Sequence, residues 1–226
     1  MTAPATAPAP PAMPWFYELV WHASRAFFAA LGRSEVAGLA HVPRTGPLLL
    51  ASNHASFLDS PLIGCVIPRP ICFTPRNTLW NFAPLGRALD HLKCIPVDRD
   101  GGIAIGVFKR VIAAVENHDA VLVFPEGTRT FDGQLQAPRR GVGMLAAKLR
   151  APIAPVRVFG TYEMFSRSHT LPAPFGRLGV TFGRPLLPAD YDPGPRHPDR
   201  YDTIAQRVMS AIVALPPPWS VPDNGA

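Results

Sequence analysis

Leu48-Leu49-Leu50-Ala51 runs into Asn53-His54-Ala55-Ser56-Phe57-Leu58-Asp59, and further along the chain Ala120-Val121-Leu122-Val123-Phe124 runs into Pro125-Glu126-Gly127-Thr128-Arg129. Each stretch begins as a short apolar run suited to a buried strand and breaks abruptly into polar, turn-forming residues. In α/β proteins, loops at strand ends carry the chemistry. Two such junctions in one chain predict a sheet core with a functional edge.

The rest of the chain keeps the same rhythm. Ile71-Cys72-Phe73 and Cys94-Ile95-Pro96-Val97 read as further strands, and residues 102–116 place Ile105, Phe108, Val111, Ile112 and Val115 at helical spacing. A helix over 140–149 feeds a strand at Ile153–Val158, and Leu178-Gly179-Val180-Thr181-Phe182 is a later strand. A helix around 200–214, with Tyr201, Ile204, Val208 and Ile212 on one side, covers the domain until Pro216–Pro218 ends it. No internal repeat or interdomain linker interrupts the pattern. With 226 residues, 47% of them hydrophobic, the chain can build one substantial core. The expected fold is a single α/β domain with a central mostly parallel or mixed sheet flanked by helices.

The expected organisation is a disordered Ala/Pro-rich lead over 1–14, an N-terminal helix over 15–34, the main domain over 35–215 and a flexible tail over 216–226. The lead lacks the basic region and apolar core of a secretory signal peptide. Trp15-Phe16-Tyr17, Val20-Trp21 and Phe27-Phe28-Ala29-Ala30-Leu31 make the helix aromatic and amphipathic. Glu18, His22 and Arg25 argue against a membrane span and favour an interfacial or packing role.

His54 and Asp59 are candidates for a base and its orienter, because imidazole titrates near neutrality and a neighbouring carboxylate can hold the useful tautomer. Residues five apart lie about 140° apart around a helix, so His54 belongs in the turn ahead of the helix that carries Asp59. A capping box with Ser56 at the N-cap and Asp59 at N3 explains the same residues without chemistry. In the second segment, Gly127 permits close backbone approach, and Arg129 offers a fork of donors suited to phosphate or carboxylate. Glu126 can orient Arg129 or accept from a hydroxyl, though it would repel a phosphate facing it directly. A solvated turn with a local ion pair is the plainer reading of this loop.

Taken together, these residues resemble the glycerolipid acyltransferase family, in particular its 1-acylglycerol-3-phosphate acyltransferases, over about residues 35–185. Asn53–Asp59 matches the family's His-x4-Asp block and Phe124–Arg129 its third block. Ile95-Pro96-Val97-Asp98-Arg99 looks like the second block, whose arginine is associated with the acceptor phosphate. Ala151-Pro152-Ile153-Ala154-Pro155-Val156 resembles the fourth. The resemblance implies transfer of an acyl group from acyl-CoA or acyl carrier protein to the free hydroxyl of 1-acyl-sn-glycerol 3-phosphate, giving phosphatidate. It assigns His54 as general base, Asp59 as its support, and Arg99, Glu126, Gly127, Thr128 and Arg129 to substrate binding. Neither cofactor nor metal is implied. Thr130, Arg139-Arg140-Gly141 and Pro96-Val97-Asp98 depart from the usual pattern and leave open another lysolipid acceptor, such as a lysophospholipid or lyso-ornithine lipid, or a noncatalytic lipid-binding role.

Formal net charge is +6, from 22 Lys plus Arg against 16 Asp plus Glu, which suits an anionic membrane surface or an acidic carrier protein. The implied location is the cytoplasmic face of the cell membrane, peripheral or monotopic. No zinc-finger, basic-zipper or RNA-binding pattern supports a nucleic-acid partner, and no Gly-x-Ser-x-Gly elbow supports a serine hydrolase. Cys65, Cys72 and Cys94 lack metal-ligand spacing and read as fillers of apolar sites. The remaining histidines read as surface or packed residues. Trp80 and Phe82 are candidates for an acyl pocket, with core packing the plainer reading.

Overall fold

The computed structural model describes residues 12–97, 105–117, 119–173 and 176–220. Its elements run α1 (Trp15–Leu31), β1 (Gly32–Ala37), β2 (Leu48–Ser52), α2 (Asp59–Val66), β3 (Ile71–Cys72), α3 (Ala83–His91), α4 (Ile105–Glu116), β4 (Ala120–Val123), α5 (Arg140–Leu149), β5 (Ile153–Phe159), α6 (Thr161–Phe165), β6 (Gly176–Phe182), α7 (Pro188–Tyr191) and α8 (Arg200–Val213). The six strands form one mixed sheet in the order β1-β6-β5-β2-β4-β3. From β5 to β3 all neighbours are parallel; β6 joins β5 antiparallel, and β1 pairs β6 in parallel.

The centre is apolar because both of its faces are covered. Leu48 and Leu50 of β2 enter one core with Ala120 and Leu122 of β4, beneath α1 and α2. Leu49 and Ala51 enter the opposite core with Val121, beneath α4, α5 and α8. Leu48, Leu49 and Leu50 are fully buried, and burial of each leucine contributes about 1.5–3 kcal/mol. On α8, Ile204, Val208 and Ile212 face inward as the spacing predicts. α8 lies so close to α5 that a Cβ at Gly143 would overlap the Tyr201 carbonyl.

Three local expectations change. The N-terminal helix expected over 15–34 ends at Leu31, and Gly32 begins β1, an edge strand with too little apolar alternation to announce itself. It is secured by β6 and by Glu35, which accepts from Arg177 Nε at 2.9 Å. Cys94–Val97 forms no regular strand. Ile95 and Val97 donate to the Phe73 and Pro75 carbonyls, but Pro75 and Pro96 have no N–H to extend the ladder, and only an Arg76–Val97 bridge forms. The tail expected to be flexible from 216 is packed through Ser220. Pro218 is buried, Thr181 Oγ1 donates to the Pro216 carbonyl at 2.8 Å, and Arg177 stacks on Trp219 at 4.3 Å. Readings that fall on residues 1–11, Asp98, Arg99, His118 and 221–226 lie outside the described residues.

α1 is a packing helix on one side and an apolar surface on the other. Tyr17 is buried, and its hydroxyl accepts the Ile71 N–H at 3.1 Å. Trp21 and Arg25 donate to the Ile67 and Cys65 carbonyls at the end of α2. The outer face exposes Trp15, Leu19 and Phe27. Among the described residues, no helix is long and apolar enough to cross a membrane.

Two stability effects follow. Gly143→Ala forces α5 away from α8, and thermal denaturation should show a loss of roughly 1–3 kcal/mol, the usual cost of overpacking. Asp192, ahead of α8, accepts two hydrogen bonds from Arg200 at 2.8 and 2.6 Å, which lowers its carboxyl from 3.8 to about 2. A depressed acid stabilises the fold above its unfolded pKa and loses that contribution as pH falls through the folded one. Arg200→Gln should therefore lower the melting temperature at pH 7, with the gap to the native protein closing between pH 4 and pH 2.

Candidate active site

The β2–β4 register sets the site. Ala51 lies opposite Val123 in a parallel pair, so His54 and Glu126 each stand three residues beyond a matched position. The His54 N–H donates to Glu126 Oε1 at 2.9 Å, and the Thr130 N–H donates to the His54 carbonyl at 2.9 Å. Asn53 ties the same turn to β5: its Oδ1 accepts from Val158 N at 2.8 Å and its Nδ2 donates to Val158 O at 3.3 Å. The amide continues the β2–β5 pairing after the backbone of β2 has turned away.

His54 precedes α2, and Asp59 is the first residue of that helix, as the helical phase requires. Asp59 Oδ2 takes three donors: His54 Nδ1 at 2.8 Å, Ala55 N at 2.7 Å and Ser56 N at 2.8 Å. The expected capping box with Ser56 at the N-cap and Asp59 at N3 does not form: α2 starts at Asp59 with Leu58 at its N-cap and no side-chain cap hydrogen bond, so the three donors organise the turn ahead of the helix. Asp59 is fully buried, and such a carboxylate needs these donors to offset its lost hydration. A neutral imidazole that donates through Nδ1 carries its lone pair on Nε2, so a proton taken from a substrate arrives there. Phe124 stacks on the ring, with centroids 3.8 Å apart and planes inclined by 12°.

The second loop is equally constrained. Glu126 Oε2 accepts from Gln136 N at 3.1 Å, so both carboxylate oxygens hold backbone amides. Burial pushes its pKa above the ordinary value, while the two amide bonds oppose the rise. Gly127 adopts a left-handed φ of 71°, and a Cβ there would lie 2.6 Å from Arg139 Cδ. Arg139 donates Nε to the Glu126 carbonyl at 3.1 Å and braces the loop, whereas Arg140 turns away to Asp202 at 2.8 Å. The Arg129 guanidinium lies 3.4 Å above the Phe57 ring.

His54, Gly127, Thr128 and Arg129 line one cavity of about 1120 Å³. Val20 and Trp21 of α1, Leu85 and Leu89 of α3, Val107, Phe108 and Val111 of α4 and Leu145 of α5 supply its apolar wall. Arg76, Arg129, Arg139 and Arg167 supply its cations. The cavity thus has an apolar part sized for a flexible chain and a cationic part beside the imidazole. Of the residues singled out in the sequence, His54, Asp59, Glu126, Gly127, Thr128 and Arg129 come together, and Arg99 lies outside the described residues. Trp80 and Phe82 are absent from the cavity wall: Phe82 is 65% exposed, and Trp80 donates to Asp90 at 2.8 Å. Cys65 and Cys72 are buried. Cys94 is half-buried at the cavity, and burial pushes its thiol up to about 12, which leaves little thiolate at neutral pH. The stack of Phe124, the Asn53 brace and the placement of Arg76 and Arg167 were not predicted. Phe124 and Asn53 adjoin the quoted motifs, but only the packed structure brings them to these partners.

The Acyltransferase family profile matches residues 33–159. The 1-acyl-sn-glycerol-3-phosphate acyltransferase alpha of Mus musculus is 38% identical over 188 residues, covering 81% of this chain and 63% of that one. The chloroplastic 1-acyl-sn-glycerol-3-phosphate acyltransferase BAT2 of Brassica napus is 29% identical over 162 residues, covering 71% and 47%. The chain spans about half to two thirds of these relatives' length. The crystal structure of the 1-acyl-sn-glycerophosphate acyltransferase PlsC from Thermotoga maritima shares the fold, with a TM-score of 0.72 at 21% identity over 87% of this chain and 77% of that one. With its His54 and Phe124–Arg129 turns joined at one cavity and the family profile matched over more than half its length, this chain belongs to the acyltransferase family of glycerolipid enzymes.

Proposed function

We propose that this protein transfers a fatty acyl group from a thioester donor, acyl-CoA or acyl carrier protein, to the free hydroxyl of 1-acyl-sn-glycerol 3-phosphate. The observation that carries the reading is the 2.8 Å contact of His54 Nδ1 with Asp59 in the wall of a cavity that also holds Arg129. His54 Nε2 takes the hydroxyl proton as that oxygen attacks the thioester carbonyl, and Asp59 stabilises the imidazolium that forms. The tetrahedral oxyanion then collapses. The ester remains, and the departing thiolate recovers the proton from His54. No acylated protein residue is needed, which agrees with the raised thiol of Cys94.

Arg129 holds the acceptor phosphate, and Arg99 has the same role through its position in the second family block. Gly127 and Thr128 shape the loop that presents Arg129. Glu126 acts indirectly: with both oxygens on the His54 and Gln136 amides, it fixes the loop that carries the base. The apolar cavity wall suits an acyl chain, and the exposed Trp15, Leu19 and Phe27 of α1 suit contact with an anionic lipid surface at the cytoplasmic face of the cell membrane. In this reading residues 35–215 are the catalytic unit and α1 its lipid-facing cover.

The test is phosphatidate formation by purified protein in mixed micelles, with lysophosphatidate as acceptor and matched acyl-CoA and acyl carrier protein donors. His54→Ala should lower kcat by about a hundredfold to ten-thousandfold, the usual range for a lost general base, while lysophosphatidate still binds. Asp59→Asn should lower kcat too, because a neutral amide oxygen can accept from His54 Nδ1 but lacks the charge that stabilises the imidazolium. Binding without turnover by folded native protein would identify a noncatalytic lipid binder, and turnover only with another lysolipid would reassign the acceptor. Cys94→Ala should keep turnover within about threefold, since a thiol this weakly ionised contributes no nucleophile.

A further inference from the structure

Arg167 belongs to none of the motifs that identify the chain, yet it lines the same cavity as His54 and Arg129. Its guanidinium lies 3.8 Å above the Phe131 ring, and its Nη2 donates to Thr128 Oγ1 at 3.3 Å. Its Nε is buried and has no hydrogen-bond partner among the described residues. A buried guanidinium donor is costly to leave unused, and an anionic ligand in the cavity would satisfy it. The Arg129 guanidinium also lies over a ring, that of Phe57. Two ring-supported forks therefore flank Thr128.

The mounting of Arg167 is also tied to the reacting end of the cavity. It follows α6 through the buried Ser166. Ser56 Oγ, in the His54 turn, donates to the Phe165 carbonyl at the end of α6, and the Phe57 and Phe165 rings lie 5.5 Å apart. On the other side, the Tyr162 hydroxyl of α6 donates to the Phe131 carbonyl at 2.9 Å, which holds the ring beneath Arg167. α6 is thereby clamped between the turn that bears the base and the loop that bears Arg129.

We propose that Arg167 is a specificity-determining residue that grips the acceptor's phosphomonoester together with Arg129. This rests on the acyltransferase reading above. The acceptor's phosphate is attached to the carbon next to the one bearing the reactive hydroxyl, so its cations must stand close to the base. The phosphates of a coenzyme A donor lie at the far end of the pantetheine arm from the thioester. Arg167 contacts Thr128, two residues from the Thr130 amide that holds the His54 carbonyl, and this proximity favours the acceptor. A phosphomonoester approaches two negative charges near neutrality and presents several acceptor oxygens, whereas a phosphodiester headgroup carries one charge. A pair of planar forks discriminates between them.

Arg167→Ala and Arg167→Lys test this in the mixed-micelle assay. Arg167→Ala should raise the apparent KM for lysophosphatidate about tenfold, the scale of one lost charge-assisted bond, with KM for acyl-CoA within twofold. Preference for lysophosphatidate over lysophosphatidylcholine should fall, and Arg167→Lys should restore only part of it. A rise in KM for acyl-CoA instead would assign the residue to donor phosphate, and unchanged KM values would reduce it to a brace for Phe131; either result overturns the proposal. A second readout is independent of turnover. On the His54→Ala background, glycerol 3-phosphate should raise the melting temperature where glycerol does not, and Arg167→Gln, which keeps part of the stem over Phe131, should remove that protection. Retained protection overturns the phosphate role even if the protein acylates a different acceptor, and loss of protection with no lysophosphatidate turnover leaves the phosphate site standing while the acceptor reading fails.

Discussion

Everything at the candidate site depends on the parallel pairing of β2 with β4 in one register. Ala51 opposite Val123 places the two following turns side by side, and the His54–Glu126 and Thr130–His54 hydrogen bonds then continue the sheet's pairing into the loops. The register is strongly specified because the strands are buried on both faces. A slip by one residue would exchange the side chains entering the α1/α2 core with those entering the α4/α5/α8 core. The scaffold's hydrophobic energy thus sets the geometry of a polar site that contributes little burial of its own.

Two buried carboxylates stabilise that site in different ways. Asp59 concentrates three donors on Oδ2 and turns the imidazole while starting α2. Glu126 spends one oxygen on each of two backbone segments, and its raised pKa reflects burial that the two amides only partly offset. Asp59 acts on a side chain and Glu126 on the backbone. The distinction explains why the expected electrostatic conflict between Glu126 and a phosphate need not arise: its oxygens are turned to amides, and the cations lie on other residues.

The cavity divides its labour in a similar manner. Helices α1, α3, α4 and α5 provide the apolar wall, while the loops after β3, β4 and α6 provide arginines. Stacking on Phe57 and Phe131 fixes the planes of two of those guanidiniums, since an aromatic face attracts a cation but accepts no in-plane hydrogen bond. On the outside, α1 exposes the aromatic and aliphatic side chains Trp15, Leu19 and Phe27.

Much of this was legible in the sequence, for identifiable reasons. The runs at Leu48–Ala51 and Ala120–Phe124, the helical spacing in α4 and α8 and the turn residues around them determined the α/β class and most of the elements, because period and punctuation are local properties. The motifs singled out residues that the structure brings together at the candidate site, since His54 and Asp59 are near in sequence and the Phe124–Arg129 loop is continuous. What the tertiary structure decided was everything that depends on distant partners. β1 is too polar to read as a strand until β6 pairs with it, and residues 216–220 are held only once they pack against β1 and β6. Glu126 cannot be assigned until the His54 amide meets it. Arg167 carries no local signal at all, because its place in the cavity depends on α6 being held by Ser56 and Tyr162 from opposite sides. Local sequence specifies the backbone's preferences, but only the packed sheet specifies which side chains share a space.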